Sequence, residues 1–208
     1  MKIVGVFLAA GNSSRMKSQK LALPVGSMTL GSLALETALK SSLEEVYVIT
    51  KVYDHAEWIP SRMKENARCK IIKCTTSHEG QSESLRCGIT QARENGARGV
   101  IVLLADQPFV TLQMISGLID RFKQNPALDF VATTVDQSIM PPVLFSSSMY
   151  SDLMKLRGDK GARAILRGSF LQKGVLIPCA DRRLVFDVDT KKDYETFNEL
   201  KSIVMRLE

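Results

Sequence analysis

The sequence predicts an α/β fold in which a mostly parallel sheet is covered by helices on both faces. Three observations carry that expectation. Short β-branched apolar runs recur along the chain, amphipathic segments of helical spacing separate them, and the two kinds alternate in series. Parallel strands need crossover connections of that kind, usually helical.

The first strand is "KIVGVFLAA" at 2–10. Its apolar run is too short for a secretory segment, and the basic "SRMKSQK" follows it rather than preceding it, so it reads as a strand and not as a signal peptide. "TLGSLALETALKSSL" (29–43) has helical spacing and opens on Thr29, a residue able to cap a helix. "EVYVIT" (45–50) is the next strand, and "DHAEWIPSRMKENA" (54–67) the next helical segment, which Pro60 should kink or break. "KIIKC" (70–74) and "GVIVLLA" (99–105) are strands, with the helix "SESLRCGITQARENG" (82–96) between them. The helix "TLQMISGLIDRFKQN" (111–125) then leads to the strand "DFVATTV" (129–135). After residue 135 the regularity fades into shorter pieces, before a final amphipathic helix at 190–206. One domain over residues 1–208 is expected, with a small C-terminal excursion from the sheet.

Composition narrows the function. With 45% hydrophobic and 24% charged residues, the chain has the make-up of a globular protein with an ample core. No run reaches membrane-spanning length. The net charge is +6, without a Lys/Arg-rich run or interleaved aromatics, so neither a membrane nor a nucleic-acid partner is expected. Small anionic ligands would suit the excess equally well. Cys69, Cys74, Cys87 and Cys179 make no CxxC pair, and His55 and His78 complete no zinc pattern. Reduced, partly buried thiols and a cytoplasmic location are the expectation, with Cys87 a small helix residue facing the core.

In open α/β sheets, ligands bind beyond the carboxyl ends of the strands. That rule singles out residues 9–20, 75–88 and 104–111. The first stretch, "LAAGNSSRMKSQK", is not a P-loop, because Met16 stands where the second glycine should be. It is not GxGxxG either. Leu8, Ala9, Ala10 and Gly11 leave a bare backbone at the strand end, against which a base or ribose can lie. Asn12, Ser13 and Ser14 offer donors, and Arg15 and Lys20 supply two long cationic arms. An ordinary strand-to-helix loop with exposed basic residues would look the same.

Asp106 ends the most apolar strand, where a carboxylate is costly unless it caps a turn or binds a cation. In "FDVDT" (186–190), strand-like alternation would place Asp187 and Asp189 on one side.

Six segments in order resemble the MobA/MocA-like nucleotidyltransferases. The opening is close to LAAGxSxRMGxxK, matched at Leu8, Ala9, Ala10, Gly11, Ser13, Arg15, Met16 and Lys20, with Lys17 replacing the usual Gly. "EGQSESLRCGI" (79–89) looks like the second loop, GxSxSLRxGL. "LLADQPFV" (103–110), "PPVLF" (141–145), "GDKGAR" (158–163) and "FDVDT" continue the match over nearly the whole length.

The resemblance implies a three-layer α/β/α Rossmann-like nucleotidyltransferase fold. It implies transfer of CMP from CTP to molybdopterin, the molybdenum cofactor, with release of pyrophosphate. Such relatives serve the maturation of molybdenum hydroxylases such as xanthine dehydrogenase, so an apo-molybdoenzyme client is a possible partner. Arg15 and Lys20 would be catalytic. Leu8, Ala9, Ala10, Gly11, Ser13, Lys20, Gly80, Ser82 and Ser84 would bind the nucleotide. Asp106 and Asp189 would hold Mg²⁺ or Mn²⁺, which accepts two carboxylates plus phosphates and water. Pro142, Lys160 and Arg163 would face the acceptor. Members opening LAAG resemble the CTP users, so Ala10 points to cytosine. Two alternatives stay open: a sugar- or polyol-phosphate cytidylyltransferase, and a non-catalytic molybdenum cofactor carrier.

Overall fold

The computed structural model describes residues 1–11, 16, 19–166 and 168–204. The chain begins with β1 (Ile3–Leu8), then a small hairpin of β2 (Pro24–Val25) and β3 (Met28–Thr29), followed by α1 (Leu30–Lys40). β4 (Val46–Lys51), α2 (Ser61–Lys64), β5 (Cys69–Cys74), α3 (Gln81–Glu94), β6 (Gly99–Leu104) and α4 (Leu112–Gln124) continue the alternation. β7 (Phe130–Val135), β8 (Ser138–Ser146), α5 (Tyr150–Leu153), β9 (Gly174–Pro178) and α6 (Lys191–Val204) complete it.

Seven of these strands form one sheet in the order β5-β4-β1-β6-β8-β7-β9. β5, β4, β1 and β6 are parallel, β7 and β9 pair in parallel, and β8 alone runs antiparallel to both its neighbours. The fold is therefore α/β with a mostly parallel sheet, as the alternation predicts. From β1 the chain crosses outward to β4 and β5, then returns to β6 on the other flank. The strand order thus reverses between β1 and β6, whose register pairs Leu8 with Leu104 at their carboxyl ends. A crevice opens at such a switch point.

Alternation along β1 builds both faces. Ile3 and Phe7 join the layer of α1 and α4, through Leu35, Leu39, Leu118 and Phe122. Val4, Val6 and Leu8 join the layer of α3, through Leu85, Ile89 and Ala92. α3 comes close because Gly88 leaves no side chain where Val6 packs; a Cβ there would collide with it. A third cluster joins α6 to the hairpin and to the loop after β6, through Val25, Leu30, Phe109, Val188 and Phe197.

Three expectations need correction. The helical segment at 54–67 shrinks to the single turn Ser61–Lys64. Asp54 turns the chain before it, accepting from the Ala56 N–H (2.7 Å) and the Trp58 indole (3.3 Å), and Pro60 cannot donate to a preceding turn. The thiols are not all reduced. Cys74 at the end of β5 and Cys87 in α3 form a disulfide, because the strand-to-helix connection brings their Cα atoms to 6.1 Å. Cys69 and Cys179 are free. Finally, 186–189 is not a strand. Its backbone bonds to the loop after β6 rather than to a ladder, so Asp187 and Asp189 do not share a pleat face. The stretch with Pro141 and Pro142 is a strand nonetheless, and its register against β7 shifts between Ala132 and Thr133. No helix of the described residues is long and apolar enough to cross a membrane.

Candidate active site

A cleft of about 380 Å³ lies over the carboxyl ends of β1 and β6. Leu8, Ala9, Ala10 and Gly11 form one wall, Gly80, Gln81 and Ser84 another, and Lys20, Asp106 and Asp189 come together in it. Ala9 donates its N–H to Ile49 O (2.9 Å) and Ala105 to Leu8 O (3.1 Å), so the loop after each strand starts from a fixed rail. Arg15 and Ser13 lie outside the described residues.

The centre of the cleft is ionic. Lys20 opens a short 3₁₀ turn (Lys20–Ala22) and is almost wholly buried. Its Nζ donates to Asp106 Oδ2 (2.8 Å) and to Asp189 Oδ1 (2.9 Å). Burial alone would lower the lysine pKa. The charges and hydrogen bonds of the two carboxylates outweigh it and hold the pKa above its ordinary value. Asp106 Oδ1 is buried without a hydrogen-bond partner among the described residues.

Asp187, half-buried beside this group, has its carboxyl pushed up to about 6 by burial and by the Asp106 charge. It lines a second cleft of about 310 Å³, with Pro141, Lys160, Gly161 and Arg163. The two clefts share Leu8, Gln81, Leu104 and Asp159. Pro142 is not in that lining; its carbonyl accepts from the Thr133 hydroxyl at 2.9 Å, and Pro141 faces the cleft instead.

Ser82 sits behind the first cleft. It is fully buried, its N–H donates to Gly158 O (3.0 Å), and its hydroxyl has no partner among the described residues. Gly80 has φ +126° and lies against Gly158, so the second loop and the 158–163 loop are locked together. Arg86 in α3 pairs with the buried Glu83 at 2.8 Å, and Glu83 also accepts from the Thr76 hydroxyl.

Asp189 is held from below. Asp193 Oδ2 accepts from the N–H groups of Asp189 (3.1 Å) and Thr190 (2.7 Å), and Asp193 N–H donates back to Thr190 Oγ1 (3.2 Å). This is a capping box at the start of α6. The sequence reading missed it, although "TKKD" carries the T-x-x-D signal. Asp159 and Gln81 were likewise missed, and no spacing rule would have found them.

The residues present fit a divalent cation. Two carboxylates already hold a positive charge between them, and one oxygen of Asp106 has no partner among the described residues. Among the described residues no cluster offers three or more acidic, His or Cys ligands, so a metal ion here would complete its shell with substrate oxygens and water.

Residues 5–174 match the family model described as MobA-like NTP transferase domain. The chain is 34% identical over 198 residues to the purine catabolism protein PucB of Bacillus subtilis strain 168, covering 93% of this chain and 94% of that protein. Among solved structures, Rv0371c of Mycobacterium tuberculosis H37Rv, in complex with manganese, superposes with a TM-score of 0.73 at 22% identity, covering 96% of this chain and 99% of that one. A nucleotidyl transferase from Methanothermobacter gives a TM-score of 0.77 at 18% identity, covering 100% and 99%. At those identities the structural matches speak to the fold.

Proposed function

The chain belongs to the MobA-like NTP transferase family, and from that premise we propose that it transfers CMP from CTP to the terminal phosphate of molybdopterin cofactor. The observation that carries this reading is the Lys20 ammonium lying between Asp106 and Asp189 in a cleft at the β1/β6 switch point. A cation site beside a bare backbone is what an in-line attack on an α-phosphorus requires, because such catalysis is mostly positioning and charge neutralisation.

In this reading the nucleotide lies on Ala9, Ala10 and Gly11, with Gly80 and Ser84 at its base and sugar. Ser82 supports that loop from behind. Lys20, with Arg15 and Ser13 from the loop outside the described residues, takes the phosphates. Asp106 and Asp189 would hold Mg²⁺ or Mn²⁺, which when bound offsets charge developing on the triphosphate. Lys160 and Arg163 draw the acceptor phosphate into the second cleft, and Pro142 fixes its wall through Pro141. An oxygen of that phosphate bonds to the α-phosphorus as the bond to pyrophosphate breaks. The acceptor is already ionised near neutrality, so no side chain has to remove a proton. The purine catabolism role named for the Bacillus protein supports a molybdenum hydroxylase such as xanthine dehydrogenase as the client.

The test is pyrophosphate release from CTP and from GTP, each with Mg²⁺ and molybdenum-loaded cofactor, beside Asp106→Ala. CTP-dependent release abolished by the substitution supports the reading. Release with GTP overturns the base preference. Release with a sugar or polyol phosphate alone moves the acceptor, and tight cofactor binding without release makes the protein a carrier.

A further inference from the structure

Resting on the reading of the first cleft as a triphosphate site, we infer that Lys20 is the resident cation of the Asp106–Asp189 pair, so that metal and triphosphate bind as a coupled couple. The ammonium occupies the space between the carboxylates, at 2.8 and 2.9 Å, and is only 9% exposed. A divalent ion that holds both aspartates would sit in contact with that ammonium. The lysine therefore has to give up both charge-assisted hydrogen bonds, a cost that is offset best where another anion receives the ammonium. Among the described residues no third acidic, His or Cys side chain joins the two carboxylates as a metal-holding cluster, Asp187 lining the second cleft instead.

A triphosphate resolves both deficits. Its oxygens accept the ammonium and complete the metal's shell, so each ligand prepares the site for the other. Metal alone binds weakly, because it must first break two ion pairs. Nucleotide alone binds weakly too, because Lys20 stays with the aspartates. The coupling is reciprocal by thermodynamic necessity. Lys20 is thus a gate on metal loading as well as a cation for phosphate, which protects the carboxylate pair from divalent ions when no nucleotide is present.

The experiment measures Mn²⁺ binding to the full chain by electron paramagnetic resonance, first without nucleotide and then with a non-hydrolysable CTP analogue, which should tighten it more in wild type than in the neutral Lys20 variants. Without nucleotide, Lys20→Met and Lys20→Gln are expected to bind Mn²⁺ about tenfold more tightly than wild type, within the usual span of site-to-site coupling. Lys20→Arg keeps a cation and should bind as weakly as wild type. Adding Asp106→Asn to Lys20→Met should remove the gain. Melting curves in EDTA supply a second readout: both neutral variants should melt below wild type and recover more on adding Mn²⁺. Circular dichroism of the two variants identifies one that fails to fold, and the other then carries the test. Equal or weaker Mn²⁺ binding by the folded neutral variant overturns the inference, as does a gain that survives Asp106→Asn. The nucleotidyl-transfer reading is judged separately, by pyrophosphate release from the wild-type protein.

Discussion

The backbone N–H of Val188 donates to the carbonyl oxygen of Asp106 at 2.9 Å. One bond thereby ties together two loops that are 82 residues apart (188 − 106) and carry the two aspartates of the cleft. Val188 itself is fully buried in the cluster that packs α6 against the β2–β3 hairpin. The ionic centre is therefore only as well placed as that small apolar cluster.

Phe197 anchors it. Its ring lies 5.1 Å from that of Phe109 and is fully buried. Phe197→Ala should cost about 3–5 kcal/mol, as deletion of a buried aromatic ring does. Urea unfolding reads the loss, and pyrophosphate release in native buffer should fall with it, since Asp189 loses its support.

Asp193 is a positioning residue for Asp189. Asp193→Ala removes the capping box and should cost about 1 kcal/mol of stability. It should also lower kcat more than it raises KM for the nucleotide, because the carboxylate of Asp189 loses its orientation while the cleft wall stays intact. Asp193→Asn, which can still accept hydrogen bonds, should recover much of kcat. Equal losses in both variants would leave Asp193 with no role beyond the cap.

Gly80→Ala tests the lock between the two loops. A Cβ at residue 80 would stand 2.5 Å from the carbonyl carbon and oxygen of Gly158, at a φ of +126°. Backbone must move, so a loss of about 1–3 kcal/mol is expected in a thermal melt. Nucleotide affinity should drop in equilibrium dialysis, while the outlying Gly96→Ala, at φ +67° with nothing nearby, should leave it unchanged.

Glu45 carries a pH signature. The hydrogen bond from Lys2 (2.8 Å), then that from the Tyr47 hydroxyl, hold its carboxyl below the ordinary value of 4.5 against the opposing effect of burial. A lowered folded-state pKa contributes stability above the unfolded value and loses it as the pH falls through the folded one. Glu45→Gln should thus cost about 0.5 kcal/mol near neutrality, the scale of a partly exposed pair. The gap from wild type should close in urea titrations as the pH falls from 4.5 through the lowered folded-state value.

The fold was legible where local chemistry repeats. β-branched runs marked β1, β4, β5, β6 and β7, and α1, α3 and α4 declared themselves by spacing, α1 and α4 also by Thr29 and Thr111 at their starts. Legibility failed where a partner distant in sequence decides the outcome. Asp54 folds its segment around Trp58 rather than into a helix, and Val188 bonds to Asp106 rather than to a strand. The meeting of Lys20 with both aspartates spans separations of 86 and 169 residues, and no window of sequence contains it. The Cys74–Cys87 bridge, 13 residues apart, follows no spacing rule either.

That bridge has a topological consequence. Residues 74 to 87 form a closed covalent ring, with the second loop of the cleft inside it. A protease that nicks the chain anywhere between 75 and 86 would leave one molecule and not two, held on a single thread until a thiol is added.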